Sequence, residues 1–259
     1  MTDQRFLDSI ATPAKTIEGV IDQLTFIIDW SKEQNLRIGY FAALYRKVTI
    51  HVKQGIIDGF FDDGPRMERL DIIFANRYIQ ACHASLTGQT PTQSWEHAFA
   101  LSSRWRPIVL QHLLMGMNAH INLDLGIAAA ETVPPEQLPS LKSDFGRIND
   151  VLARLVDQVQ NELAEIWPPL AILSRFLGSV DNAIVNFSMG KARDAAWAFA
   201  EELAPLTVEA RSESIAHKDA NVAEFSEVIL HPGVKLSMVL LMIRLGERGT
   251  TRGHIGILE

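Results

Sequence analysis

Apolar residues recur at intervals of three and four along most of the chain, which is the spacing of one face of an α-helix. A clear example is the run Ile17, Val20, Ile21, Leu24, Ile27 and Ile28. No stretch alternates apolar and polar residues over the length that a half-buried strand requires. The pattern therefore predicts an all-α protein, a multi-helix bundle of about eight or nine helices.

Glycine, proline and clustered polar residues set the expected ends of these helices. Asp62-Asp63-Gly64-Pro65 both breaks the second helix and starts the third, because Pro suits a first helical turn. We expect a single domain over 1–259, with a loosely ordered tail at 246–259 that contains four glycines. The predicted helices cover about 17–28, 38–57, 66–86, 91–99, 107–130, 141–166, 180–203, 206–230 and 234–245.

Composition narrows the class of function. Lys and Arg number 24 against 31 Asp and Glu, a net charge of −7, so a nucleic-acid-binding protein is not expected. The one cysteine, Cys82, has no partner for an internal disulfide, and the N-terminus lacks a secretory signal, so we expect a cytoplasmic protein. The apolar run 236–243 is too short to span a membrane and is interpreted as a buried helix. The expected partners are a small-molecule ligand or substrate and a second copy in a homodimer, with no membrane.

The most unusual segment carries four polar residues within an apolar helix. His120 and Asp124 lie four residues apart and share a helix face, and Asn118 and Asn122 form a second such pair. His120 and Asp124 could hold one divalent metal ion together, or Asp124 could orient His120 as a general base. Asn118 and Asn122 would then position substrate or water. The same four residues could instead form a purely structural network, and both interpretations stay open.

Spacing alone does not decide between these interpretations. Three His–carboxylate pairs in the chain have the four-residue spacing, close to what chance gives for this composition. Only the apolar surroundings of His120 and Asp124 distinguish that pair from the other two.

The third helix carries a second group of candidate substrate-binding residues, Asp71, Asn76 and Tyr78. Asp71 and Tyr78 share a face, whereas Asn76 is rotated away from both. Asp71 could face the same interior as His120, or it could be an exposed helix carboxylate.

The helix predicted over 180–203 carries the third group of candidate substrate-binding residues, Asn186, Asp194 and Trp197. Asp194 and Trp197 could form one wall of a pocket. Arg193 next to Asp194 could equally form a charge pair that holds neighbouring helices together.

Three segments together resemble the bacterial DUF5995 family, whose members carry the sequences GMNAHINxDL and ARDAAW. They are residues 61–76, residues 114–125 with the sequence GMNAHINLDL at 116–125, and ARDAAW at 192–197. The likeness covers about 40–203. It implies a soluble, all-helical bacterial protein and points to Asn118, His120, Asn122 and Asp124, but it implies no particular reaction.

The HxxxD sequence formed by His120 and Asp124 is also weakly similar to the helical zinc phospholipase C and P1 nuclease enzymes. Those enzymes add an HxxxE sequence, which this chain lacks. At most a one-metal site is therefore expected. The chain also lacks the sequences GxGxxG, GxxxxGK[ST], GxSxG and HExxH.

Two functional hypotheses result. In the first, the protein is an enzyme, a metal-dependent or acid–base hydrolase with a polar pocket between helices. In the second, it binds a ligand or partner without catalysis, and the polar segment fixes helix register.

Overall fold

A computed structural model describes residues 3–167 and 189–259, except for the side chains of residues 153, 154, 156 and 157. This part of the chain is all-helical and contains no strand, as the sequence predicts. The predicted number of eight or nine helices is wrong, because the described residues form twelve α-helices. They are α1 (Asp3–Ala11), α2 (Ile17–Gln34), α3 (Ile38–Ile57), α4 (Gly64–Leu86), α5 (Gln93–Ala100), α6 (Val109–Ala119), α7 (Leu125–Thr132), α8 (Leu138–Ile166), α9 (Met189–Leu203), α10 (Val208–Leu230), α11 (Val234–Gly246) and α12 (Thr251–Leu258).

Local capping explains where several helices begin. At α4, the Asp63 side chain accepts a hydrogen bond from the backbone N–H of Arg66, and Pro65 occupies the first turn. At α2, the Thr16 hydroxyl oxygen accepts from the backbone N–H of Gly19. The start that the turn residues predict for the third helix is thus confirmed.

The three additional helices have separate origins. The N-terminal α1 was not predicted, although Phe6 and Ile10 are fully buried. The predicted helix over 107–130 is divided into α6 and α7 by one turn of π-helix at His120–Asp124. The C-terminal residues, expected to be a loosely ordered tail, contain α12.

Helix α12 is anchored on α3 through a glycine. A Cβ atom on Gly39 would lie 2.6 Å from Ile255 Cδ1 and 2.7 Å from Ser31 Cβ, so a larger residue here would displace these side chains. Ile255 and Leu258 are buried, and the Thr250 hydroxyl oxygen caps the helix by accepting from the Gly253 N–H. The glycines of this segment indicated a loose chain, but the two buried apolar side chains hold it in place.

The segment from α6 through the π turn to α7 lies at the centre of the fold. It packs against α3, α4, α5, α9 and α10. Two glycines permit close approach here: a Cβ on Gly116 would lie 2.5 Å from the Phe41 ring, and a Cβ on Gly126 would lie 2.8 Å from the Ala196 carbonyl oxygen. The polar residues of the π turn are therefore held from several sides.

Helix α11 differs from the expectation of a buried helix. Leu240 and Ile243 are buried, but the opposite face exposes large apolar side chains. Those exposed residues are Val234, Met238, Leu241, Met242 and Leu245. No single helix of the described residues is long and apolar enough to cross a membrane; α10 and α11 together reach that length and composition, with a 70° bend between them.

Candidate functional site

The π turn positions His120 and Asp124. Within it the backbone N–H of Leu125 donates to the carbonyl oxygen of His120, five residues earlier. In an α-helix the acceptor would be four residues earlier. π turns are rare in proteins, and many of those that exist lie at functional sites. His120, Asp124 and Asn118 are all buried.

Three donors surround the Asp124 carboxylate. Arg77 Nε donates to Oδ1 at 2.8 Å, and Trp95 Nε1 donates to Oδ2 at 2.8 Å. His120 Nδ1 lies 3.1 Å from the same Oδ2. Since an ionised carboxylate only accepts, His120 carries its proton on Nδ1, which leaves Nε2 as a bare acceptor.

The charges of this group follow from burial and pairing. Burial alone would raise the pKa of Asp124, but Arg77, His120 and Trp95 outweigh it and lower that pKa below its usual value. For His120, burial lowers the pKa and outweighs the raising effect of Asp124. At neutral pH the arrangement is therefore an ionised Asp124, a cationic Arg77 and a neutral His120.

His120 also borders a cavity of about 320 Å³ between α3, α6, α8 and α9. Its Nε2 atom is buried and has no hydrogen-bond partner. Most of the wall is aliphatic or aromatic; the residues with polar side chains that border it are Tyr45, His120, Gln160 and Arg193. The apolar wall includes Phe41, Leu44, Val48, Phe74, Leu110, Leu113, Met117, Ile121, Ile148, Leu152, Leu155, Val159, Leu163 and Met189.

Aromatic rings fix the plane of the His120 imidazole. The Phe74 ring stacks on it with centroids 3.6 Å apart and an interplanar angle of 7°. Tyr45 meets it edge-on with centroids 4.5 Å apart, and Phe41 does so at 5.7 Å. Ring packing and the Asp124 hydrogen bond together hold His120 in one orientation.

Two buried hydroxyl groups near this ring have no hydrogen-bond partner, those of Tyr45 and Tyr78. Burial raises the pKa of both, and the negative charges of Asp71 and Asp124 raise that of Tyr45 further. Both hydroxyls therefore stay protonated at neutral pH and remain able to donate.

Asp71 is buried, so it is an interior residue and not an exposed helix carboxylate. Its Oδ2 atom has no hydrogen-bond partner. Burial, with a smaller contribution from Glu68, raises its pKa to about 7. A carboxyl group of this kind changes its protonation state close to neutral pH.

The two asparagines, Asn118 and Asn122, form hydrogen bonds with other residues than the His120–Asp124 pair does. Asn122 Nδ2 donates to Asn118 Oδ1 at 2.7 Å, and Asn118 Nδ2 donates to the Val222 carbonyl at 2.9 Å and to Ser226 Oγ at 3.0 Å. These bonds tie the π turn to α10. None of these contacts bears on the predicted positioning of substrate by Asn118 and Asn122, which stays a prediction from the sequence.

The other predicted site residues are distributed as follows. Asn76 exchanges two hydrogen bonds with the backbone of Ala14, which anchors the segment before α2. Trp197 is buried and donates to Glu201, whereas Asp194 is exposed. Asn186 lies outside the described residues.

Several residues of the site were not predicted from the sequence, namely Arg77, Trp95, Tyr45, Phe74 and Arg193. A buried Asp124 implies a cationic partner, but 24 Lys and Arg residues were available and nothing in the local pattern singled out Arg77.

The donor set does not favour a metal ion. Among the residues that the structure describes, no group of three or more His, Cys, Asp and Glu side chains is arranged to hold one. Both Asp124 oxygens already accept hydrogen bonds, and a cation there would compete with Arg77. Metal binding by His120 and Asp124 remains a prediction from the sequence alone.

The fold and site define an all-helical protein with a buried His–Asp pair beside an apolar cavity. Residues 17–232 match the model of the Family of unknown function (DUF5995), and the chain belongs to this family. The resemblance carried by the sequence segments is thereby confirmed. No curated protein and no solved structure matches the chain.

We expect Asp124→Asn to lower the free energy of unfolding at pH 7 by about 3 kcal/mol, because it removes the buried charge that three donors share. Urea denaturation measures the change. Asp194→Asn is the matched control: this carboxylate is exposed and its loss should cost less than about 0.5 kcal/mol. Equal effects of the two substitutions would show that Asp124 does not organise the interior.

Asp71 should make stability fall as the pH rises. Its pKa is 3.8 as an ordinary value and about 7 in the fold, so between these values the unfolded chain is ionised and the folded chain is not. The stability that the protonated Asp71 carboxyl allows is fully present below pH 3.8. Between pH 3.8 and about pH 7 the free energy of unfolding falls by about 4 kcal/mol as the unfolded chain ionises.

This pH effect is measured by urea denaturation from pH 4 to pH 8. Relative to wild type, Asp71→Asn should become progressively more stable across that range, and the exposed Asp150→Asn should follow wild type. A constant difference between Asp71→Asn and wild type would contradict the raised pKa.

Proposed function

We propose that the protein binds a small, mostly apolar molecule in the cavity beside His120, and that His120 Nε2 accepts a hydrogen bond from it. The observation that carries this proposal is that His120, whose imidazole is held in one orientation and whose buried Nε2 has no partner, lines an apolar cavity. A cavity of about 320 Å³ is at the lower end of the range that small-molecule sites occupy.

The chemistry of the wall supports this class of ligand. Ligand sites are lined mainly by apolar and aromatic side chains, with few polar groups that fix orientation. Here the wall follows that composition, and a buried acceptor without a donor costs free energy that a ligand N–H or O–H would recover. A hydroxyl or an N–H on an apolar body therefore matches the site.

Binding can be tested with N-phenyl-1-naphthylamine, a neutral apolar probe whose N–H can donate and whose fluorescence rises on leaving water. We expect one molecule bound per chain. Val48→Phe adds a ring to the cavity wall and should weaken binding by about tenfold or more, as steric overlap does in packed interiors.

Val228→Phe is the matched control, because Val228 is exposed on α10. It should leave probe affinity unchanged. Circular dichroism and thermal unfolding establish that both variants are folded. Wild-type affinity in a folded Val48→Phe protein, or no saturable binding by wild type, would reject the proposal.

The His–Asp pair also favours a second candidate function, general-base catalysis by His120. A neutral imidazole with Nδ1–H on a carboxylate and a bare Nε2 is arranged to accept a proton, and the Asp124 charge would stabilise the imidazolium that forms. In the simplest such step Nε2 removes a proton from carbon next to a carbonyl, leaving an enolate. Tyr45, whose hydroxyl has no partner, lines the same cavity.

This candidate can be tested with 2-acetonaphthone, by following exchange of its methyl protons for solvent deuterium with NMR. If His120 acts as the base, His120→Gln should lower protein-dependent exchange by about a hundredfold, the usual contribution of general-base catalysis. The exposed His51→Gln serves as control and should exchange at the wild-type rate. An unchanged rate in His120→Gln, with the ketone still bound, would leave binding alone as the function.

A further inference from the structure

Arg193 on α9 forms part of the same cavity wall and is buried. Its Nη2 donates to the Phe145 carbonyl, and its guanidinium carbon lies 4.5 Å from the centroid of the Phe145 ring. Nε is buried without a hydrogen-bond partner. The contacts with Phe145 thus leave part of the guanidinium donor capacity unused.

No carboxylate of the described part of the chain forms an ion pair with Arg193, and the attraction of Asp194 raises the pKa of Arg193 by less than burial lowers it. Among the described residues, Arg193 is in none of the ion pairs that arginine and lysine side chains form, and the adjacent Asp194 is exposed. The charge pair with Asp194 that the sequence suggested is therefore not formed. Burial lowers the pKa of Arg193 to about 10, which still leaves the side chain charged at neutral pH.

A buried cation without a counter-ion is strongly unfavourable unless something in the site compensates it. Arg77, the other arginine near the site, differs in this respect because Asp124 pairs with it at 2.8 Å. The cavity beside Arg193 offers no anionic lining residue among those described. An anion brought by the ligand would supply the missing charge.

We infer that the ligand of this cavity is an apolar carboxylic acid whose carboxylate pairs with Arg193 while its apolar body fills the space toward His120. The inference rests on the proposed function, since it names the class of molecule that the cavity binds. A hydroxyl elsewhere on the same molecule would donate to His120 Nε2.

A single carboxylate fits better than a more highly charged group. The planar guanidinium matches a carboxylate in shape and charge, and one cation balances one negative charge. A phosphate dianion would bring a second negative charge into a wall whose remaining groups are neutral or apolar, and no second cation lines the cavity among the described residues.

Decanoate and decanol test the inference, because they share one chain and differ in the charged group. Each is titrated against protein carrying bound N-phenyl-1-naphthylamine at pH 8, and displacement gives its affinity. Wild type should prefer decanoate by about tenfold or more, the effect of one charge-assisted pairing. Arg193→Met should abolish this preference, while the exposed Arg5→Met should retain it.

Arg193→Gln serves as a second variant if Arg193→Met does not fold, since its neutral amide keeps an N–H donor in the interior. It too should lose the preference. Equal displacement by the two compounds in wild type, or a preference that survives both substitutions, would overturn the inference and leave the proposed function standing. If the probe itself does not bind, the proposed function fails instead.

Discussion

The interior depends on the hydrogen bonds that the Asp124 carboxylate accepts from three donors. A buried negative charge is tolerated only with donors around it. Arg77 from α4, Trp95 from α5 and His120 from the π turn supply them. Each donor comes from a different element, so one carboxylate fixes where three parts of the chain meet. It also assigns the proton of His120 to Nδ1, and the acceptor at the cavity follows from that assignment.

The remaining polar residues of the segment do separate work. Asn118 and Asn122 form a short chain of hydrogen bonds to α10, whereas the His–Asp pair is directed toward α4, α5 and the cavity. The two i,i+4 pairs interleave in sequence but make separate contacts. Asn118 and Asn122 form the structural network that was one alternative for this segment, whereas a binding or catalytic role of His120 and Asp124 is a proposal.

Most helices could be predicted because their apolar periodicity is strong and their ends carry caps, as at Asp63 and Pro65 of α4. The π turn could not, because the helices on both sides of it are buried on nearly every face, so a phase shift of one residue does not stand out in the apolar pattern. Helix α12 was missed for another reason: its glycines indicated a loose chain, while Ile255 packs against the distant Gly39. The four-residue pairing of His120 and Asp124 was predictable, but Arg77 and Trp95 reach Asp124, and Arg193 joins the cavity wall, only through tertiary packing.

The π turn also couples the pocket to a helix contact on its other side. Deleting one residue from it would restore α-helical geometry and rotate everything that follows by about 100°. Gly126 would then no longer face the Ala196 carbonyl, where a Cβ atom would come within 2.8 Å. The bulkier Ile127 would take its place and be brought toward α9 instead. The length of this one turn therefore sets the phase of two surfaces at once, and a shorter version of the segment would require a differently packed α9, the helix that carries Arg193.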